Sequence, residues 1–448
     1  MKFALVNLAY PYGKSQTYFN AGLATVAATL LTLGHEVEYI DFNLDSINDP
    51  RLINADVIAV SVYGAPYVPE AVKFAQRIGP EGPPILIGGQ VIDNLSEVQF
   101  TQIFSGTNAR QIKSITDLAE YLHCTHMGLP NSYRLSLRPV WEGLTPERRL
   151  AYFSHEMPLR LSQGCKYQCA FCAAQKSQRE MFFELTTFEN DLRYLAASAK
   201  TEGLEQIHFY ATSLDFFQNP TKITEYLEIL AQVQKEVGIR IRVRCLCCMR
   251  SFLRANEEIP NFSKLIKRSG LNCIGFGVDG TDLSVWRAQK KFQNKLHEAQ
   301  ECLDLCEQIG IHVEVLLVMG FPEDTLKSLI KTVWSAVRFL MKWHDVSLRP
   351  YLAKAFVPGN DEWKTAKEVE QLINTPQLFY NLDFCAVGSQ LTHPRRFHRY
   401  LSNAAYLSII GIAAMFKRTD TYPLLPQGEA GLYGRIARIV NRLMPFDR

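Results

Sequence analysis

"LSQGCKYQCAFCAAQ", residues 161–175, places Cys165, Cys169 and Cys172 within eight residues. The chain has 11 cysteines, an odd count distributed along its length, and the opening stretch "MKFALVNLAYPYG" has an apolar run too short for a secretory signal. The protein is therefore expected in the cytoplasm, a reducing compartment where clustered thiols mean metal or catalysis rather than disulfides. Three thiolates can hold three corners of a cubane iron–sulfur cluster and leave the fourth open. A structural zinc loop would draw four ligands in paired spacing, and no neighbouring His or Cys makes an obvious fourth.

The sequence around this loop is a series of alternating strands and helices. "PLRLSQG" leads into the cysteines, and "QIHFYAT", "IRVRCLCCM", "CIGFGVDG", "HVEVLLVMG" and "VSLRPYLA" follow, with helical segments between them. Six such units make most of a (β/α) barrel, whose reactive end is the carboxyl end of its strands. The cysteines stand just after the first strand. Ahead of this series, residues 1–125 alternate short continuous apolar strands ("FALVNLA", "EVEYIDF", "VIAVSVYG", "PILIGG") with helices, the pattern of a doubly wound, Rossmann-like parallel sheet covered on both faces. Residues 126–156, broken by Gly, Pro and charge, read as a linker, 157–354 as the partial (β/α)6 barrel and 355–448 as a mostly helical extension.

At 448 residues, two or three domains fit, each able to enclose a site. Lys and Arg (48) exceed Asp and Glu (45) by only three, too little to argue for a nucleic-acid or anionic-membrane partner. The longest apolar stretch, Asn403 to Phe416, is shorter than the roughly 20 residues that cross a bilayer and reads as a buried helix.

The spacing Cys-x-x-x-Cys-x-x-Cys, with Phe171 before the last cysteine, resembles the signature of radical S-adenosylmethionine (SAM) enzymes. The resemblance implies that Cys165, Cys169 and Cys172 bind three irons of a [4Fe-4S] cluster, that SAM occupies the open iron, and that one-electron reduction cleaves SAM to a 5'-deoxyadenosyl radical. An electron donor such as flavodoxin or ferredoxin is then a partner. The resemblance also places Phe171 against the adenine. "FYATSLDFFQNP", with Thr212, Ser213 and Asp215, falls where many members carry a glycine-rich motif for the methionine amine. Asp279 in "GFGVDG" is expected at the ribose hydroxyls and Gly320 in "VMGFPEDT" near the adenine, while Arg250 is a candidate carboxylate partner.

An α/β domain before such a barrel resembles cobalamin-binding members of the family. The Asp-x-His-x-x-Gly motif of base-off cobalamin domains is missing: the first histidine is His35, with Leu33 in the aspartate's place. Cobalamin is accordingly admitted but not favoured. The narrower resemblance is to radical SAM peptide epimerases of the proteusin type, which invert residues of a ribosomal precursor peptide by removing the α-hydrogen and returning one from a thiol. Cys385, in "LFYNLDFCAVGSQLTHP", is the candidate donor. Cobalamin-dependent methyl transfer is the alternative. In "CLCC", strand alternation puts Cys245 and Cys247 on one face and Cys248 on the other.

Overall fold

The computed structural model describes residues 1–11, 18–123, 130–173, 179–354, 357–364, 366–387 and 396–419. The chain divides into two compact units. One comprises Met1–Pro158 with Phe183–Ile207 and Thr365–Tyr380, and the other Leu159–Phe182 with His208–Lys364 and the chain from Asn381.

The first unit is built on β1 (Lys2–Asn7), β2 (Glu36–Asp41), β3 (Val57–Ser61), β4 (Ile85–Gly88) and β5 (Ala109–Gln111). These pair in parallel in the order β2-β1-β3-β4-β5. Their apolar runs are continuous because both faces are covered: Phe3 through Val6 and Ile85 through Ile87 are all buried. The order reverses between β1 and β3, which in a doubly wound sheet opens a crevice at the carboxyl ends of those strands.

Of the residues read as a linker, 130–156 fold into this unit. Arg138–Glu142 and Pro146–Phe153 are helices, and each has a proline in its first turn, where the missing N–H costs nothing. Trp141 stacks on Tyr194 at 6.2 Å, and the Tyr152 hydroxyl donates to buried Asp41 at 2.7 Å. Gly and Pro here punctuate short helices, which is why the segment lacks a long period.

The second unit, with Glu156–Pro158 and Gln206–Ile207 assigned to the first, carries β6 (Glu156–Leu159), the short β7 (Ser162–Gln163) and β8 (Met181–Phe182), and then β9 (Gln206–Ala211), β10 (Arg240–Cys247), β11 (Leu271–Gly277), β12 (His312–Met319) and β13 (Val346–Leu352). Its main sheet runs β13-β12-β11-β10-β9-β6: five of the expected strands are present in sequential neighbour order, and the first, read over 158–164, is split between β6 in this sheet and β7, which pairs with β8. β10 to β13 pair in parallel, with Cys247, Phe276, Val315 and Leu348 in one row. In β10 burial alternates strictly: Ile241, Val243, Cys245 and Cys247 are buried, and the residues between them are not. One face of that strand packs under helices and the other lines the inside of the curved sheet.

Arg396–Met415 is one helix that contains most of the apolar stretch noted above. Tyr406, Ile409, Ile410 and Ala413 on it are fully buried. Among the described residues no helix is long and apolar enough to cross a membrane.

Candidate functional site

The cysteine loop leaves β7 and returns in β8, and the two pair antiparallel, Ser162 with Phe182 and Gln163 with Met181. Gly164 starts the loop at φ +95°, a backbone region that side chains disfavour. Remote segments then pin the loop backbone. Lys166 N–H donates to Gln218 Oε1 at 2.8 Å, Ala170 N–H donates to the Gln289 carbonyl at 3.0 Å, and the Ala170 carbonyl accepts from Asp361 N–H at 3.4 Å. Cys172 N–H bonds the Cys169 carbonyl at 3.1 Å, closing a turn between the last two cysteines.

None of the three cysteines is in a disulfide, and all are half-buried. Burial pushes the Cys165 thiol up to about 12, and the negative charges of Asp215, Cys169 and Cys172 push the same way. Three thiolates are thus unfavourable together until a cation joins them, which is the donor chemistry an iron–sulfur cluster requires. Among the described residues no three His, Cys, Asp or Glu converge on one point as a single ion would demand. A cubane gives each thiolate its own iron, so such convergence is not what it needs.

Phe171 packs on an apolar wall of Val285, Val318, Phe321 and Ala353, together with Tyr351, and its ring centroid is 5.3 Å from that of Phe321. Gly320 and Phe321 stand in the turn after β12, where both N–H groups donate to Asp324 Oδ2, at 2.8 and 3.0 Å. Gly320 has φ +92°, so this turn suits glycine. The structure therefore brings Phe171 and the Gly320 turn together.

Asp279 follows β11 in the left-handed region, φ +48°, a strained setting for a residue with a side chain. It is buried and ion-paired with Lys291, whose ammonium also donates to the Gly277 carbonyl at 2.7 Å and lies 5.9 Å from the Phe171 ring centre. Burial lowers the Lys291 pKa, and the negative charges of Cys169, Cys248, Cys172 and Cys165 oppose that shift. Asp279 thus stands beside the cysteine loop with its carboxylate engaged.

The segment after β9 has a more structural setting than its sequence position suggests. Thr212 N–H donates to the Leu159 carbonyl, and Ser213 Oγ lies 2.9 Å from Ser162 Oγ, which donates to Glu180. Asp215, 2% exposed, accepts from Cys248 N–H at 3.0 Å, Ser251 Oγ at 2.6 Å and Cys247 Sγ at 3.4 Å. Its carboxylate holds the turn that opens the helix Met249–Glu258. Arg250, on that helix, pairs with Glu298 at 3.1 Å. Cys245 and Cys247 are buried, and burial drives both thiols well above their ordinary range. Cys248 is half-exposed.

Cys385 is fixed to the end of β13. The neighbouring Phe384 carbonyl accepts from Leu352 N–H at 2.7 Å, buried Lys354 donates to the Ala386 carbonyl at 2.7 Å, and the Cys385 N–H is turned onto Asp383. Tyr406 donates to the Cys385 carbonyl at 3.4 Å. Burial raises the Tyr406 hydroxyl pKa, and charges on Cys385, Asp383 and Tyr351 add to that, so the cysteine and the wall residue Tyr351 share one neighbourhood. Residues 388–395, which complete the segment quoted for this cysteine, lie outside the described residues.

Residues 159–333 match the Radical SAM superfamily. They form a radical SAM domain. Two solved structures share the wider fold. The radical SAM methyltransferase TsrM from Kitasatospora setae, with cobalamin and a [4Fe-4S] cluster bound, is 16% identical with a TM-score of 0.58 over 78% of this chain and 75% of that one. The cobalamin-dependent SAM radical enzyme OxsB, with aqua-cobalamin and SAM bound, is 14% identical with a TM-score of 0.59 over 100% of this chain and 62% of that one. At these identities the likeness is one of fold. No curated protein matches the sequence.

The radical SAM domain implies a [4Fe-4S] cluster and SAM, and the pinned thiol triad fits the cluster. The fit to cobalamin is weaker. His35 stands at the amino ends of the front strands, where Glu36 N–H bonds the Met1 carbonyl and the His35 ring packs on Phe3 at 5.3 Å, away from the crevice. Around the crevice are the Asn7–Asn20 side-chain pair, Tyr10 and Tyr67 with ring centres 6.1 Å apart, and Tyr18, whose ring lies 6.4 Å from that of His155. The motif position supplies no axial ligand there.

Neither Lys291 nor Gln293, whose amide donates to Cys169 Sγ at 3.7 Å, was legible in the sequence. "QKKFQN" carries no signal beyond a polar turn.

Proposed function

We propose that this radical SAM enzyme inverts the α-carbon of residues in a ribosomal precursor peptide, with Cys385 as the hydrogen donor. The carrying observation is that Cys385 is stapled by backbone bonds to the carboxyl end of β13, in the neighbourhood of Tyr351 on the wall behind Phe171. Strand carboxyl ends form the reactive rim of such a barrel.

When bound, the cluster and SAM supply reductive SAM cleavage and a carbon radical able to take a hydrogen atom. Cys165, Cys169 and Cys172 would hold the cluster, and Phe171 with the Gly320 turn would make the apolar bed for the adenosyl group. The wall of Val285, Val318 and Phe321 would keep water from the radical. After loss of the α-hydrogen the peptide centre is nearly planar, so its final configuration depends on the face that receives hydrogen. The Cys385 S–H bond is weaker than most C–H bonds; it breaks, a new Cα–H bond forms on the opposite face, and sulfur keeps the unpaired electron. One electron from the protein donor that reduces the cluster and one proton from solvent restore the thiol.

The test is co-expression with a candidate precursor peptide in deuterated water. Wild type should place one solvent deuterium at each inverted residue. Cys385→Ala should still cleave SAM and remove the α-hydrogen, yet lose clean inversion. Inversion with deuterium retained in Cys385→Ala overturns the reading. The fold likeness to the methyltransferase TsrM favours a second reading, methyl transfer, which would appear as a product mass gain of whole methyl groups and as corrinoid absorbance in the purified protein. The epimerase reading expects no stoichiometric corrinoid and full activity without it.

A further inference from the structure

The turn Gln289–Asn294 wraps the cysteine loop from outside the signature. The Gln289 carbonyl holds Ala170 N–H at 3.0 Å, and the Gln289 side chain is held in turn by Glu323 at 2.8 Å. The Gln293 amide lies 3.7 Å from Cys169 Sγ in donor geometry. Asn294, 2% exposed, donates to the Gly277 and Val278 carbonyls at 3.0 Å and fixes the end of the turn. Lys291 projects inward with its side chain only 9% exposed, bonded to Gly277 and Asp279 over the face of Phe171.

A lysine so buried is costly, and one carboxylate partner offsets that cost only in part. Packing alone would be better served by an apolar residue. We propose that Lys291 and Gln293 are positioning residues that set how readily the bound cluster accepts an electron: Gln293 by an N–H···S bond to Cys169, and Lys291 by its cation over the ring of Phe171, the loop residue next to Cys172.

Reduction adds negative charge to the cluster and its sulfurs. A hydrogen-bond donor on a ligating sulfur and a buried cation nearby both favour the reduced form and raise the potential. Removing Lys291 alone also leaves the Asp279 carboxylate uncompensated, which disfavours reduction further. Removing the pair together should therefore act less than removing the lysine. This inference is independent of the substrate and holds for epimerase and methyltransferase alike.

The experiment uses the full chain, reconstituted anaerobically with iron and sulfide. Iron content and the midpoint potential are read by electron paramagnetic resonance during a redox titration without substrate. Gln293→Leu should load iron as wild type does and shift the potential negative. Lys291→Met should shift it further negative, Lys291→Arg should restore most of the loss, and Lys291→Met/Asp279→Asn should fall between Lys291→Met and wild type. Gln293→Leu leaves no buried charge behind, so it decides the matter even where Lys291→Met fails to load. A fully loaded Gln293→Leu protein with the wild-type potential overturns the proposal. Lower iron content with an unchanged potential in the loaded fraction also overturns it, because the turn would then only clamp the loop.

Discussion

The two sheets obey the same alternation of strand and helix but treat polar groups differently. In the front sheet the central strands β1, β3 and β4 are apolar on both faces, and buried polar side chains are satisfied by one another: Asp41 by Tyr152 at 2.7 Å and Asn7 by Asn20 at 3.1 Å. In the radical SAM domain one face of the sheet is charged. Arg244 on β10 and Arg349 on β13 both reach Glu314 on β12, at 3.2 and 2.7 Å, and Arg244 also lies over Tyr210 of β9. Gly275 on β11 makes room on this face for Leu246 and Leu316, since a Cβ there would stand 2.6 Å from Leu246 and 3.0 Å from Leu316. A sheet buried on both faces needs only to be covered, whereas a sheet curved round an interior must leave room and polar contacts for what enters it.

The strongest way to break the comparison is at the cysteine loop. Cys165→Ala, Cys169→Ala or Cys172→Ala should each abolish iron loading and SAM cleavage while leaving both sheets folded, because a site with one iron already open cannot lose another ligand. Iron analysis with circular dichroism checks this, and full SAM cleavage by any single variant would sink the assignment.

Next comes the interior charge. Glu314→Leu removes the buried carboxylate that Arg244 and Arg349 share and should cost on the order of 3 kcal/mol, seen as a lower urea midpoint for the radical SAM domain. A neutral result would mean that the two arginines reach water and that the interior is wetter than the 6% exposure of the Glu314 side chain suggests.

In the front sheet the matching disruption should be smaller. Tyr152→Phe removes one donor from Asp41, which keeps the N–H and side-chain amide of Asn43, so about 1–2 kcal/mol is expected.

The smallest effect sharpens the comparison through pH. Burial raises the Asp93 carboxyl from its ordinary 3.8 to about 6, with Asp117 adding repulsion and Lys113 opposing it. The folded chain then binds a proton more tightly than the unfolded one, so this group costs stability as pH rises from about 4 to about 6, and the full cost remains above that. Asp93 is partly exposed, which discounts the gain from Asp93→Asn to about 1 kcal/mol at pH 7. That gain should vanish near pH 4 in denaturant titrations, and a pH-independent gain would place the effect in packing instead.

Local pattern was enough to read much of this protein. The front strands stand out because a parallel sheet needs continuous apolar runs, the six later strands because helices separate them, and the metal loop because three thiols in eight residues have few other uses. All of these are properties of neighbours in sequence. The stretch 126–156 defeated the same reading, because Pro139 and Pro146 begin helices there and resemble breaks in a linker. What surrounds the thiols was decided only by the tertiary structure. Gln293 meets Cys169 across 124 residues, Glu314 gathers arginines from two other strands, and Asp215 turns away to hold the N–H of Cys248. Periodicity reports which face of an element is buried. Which side chains meet at a sheet's rim depends on how loops far apart in the chain close against one another, and no local spacing encodes that closure.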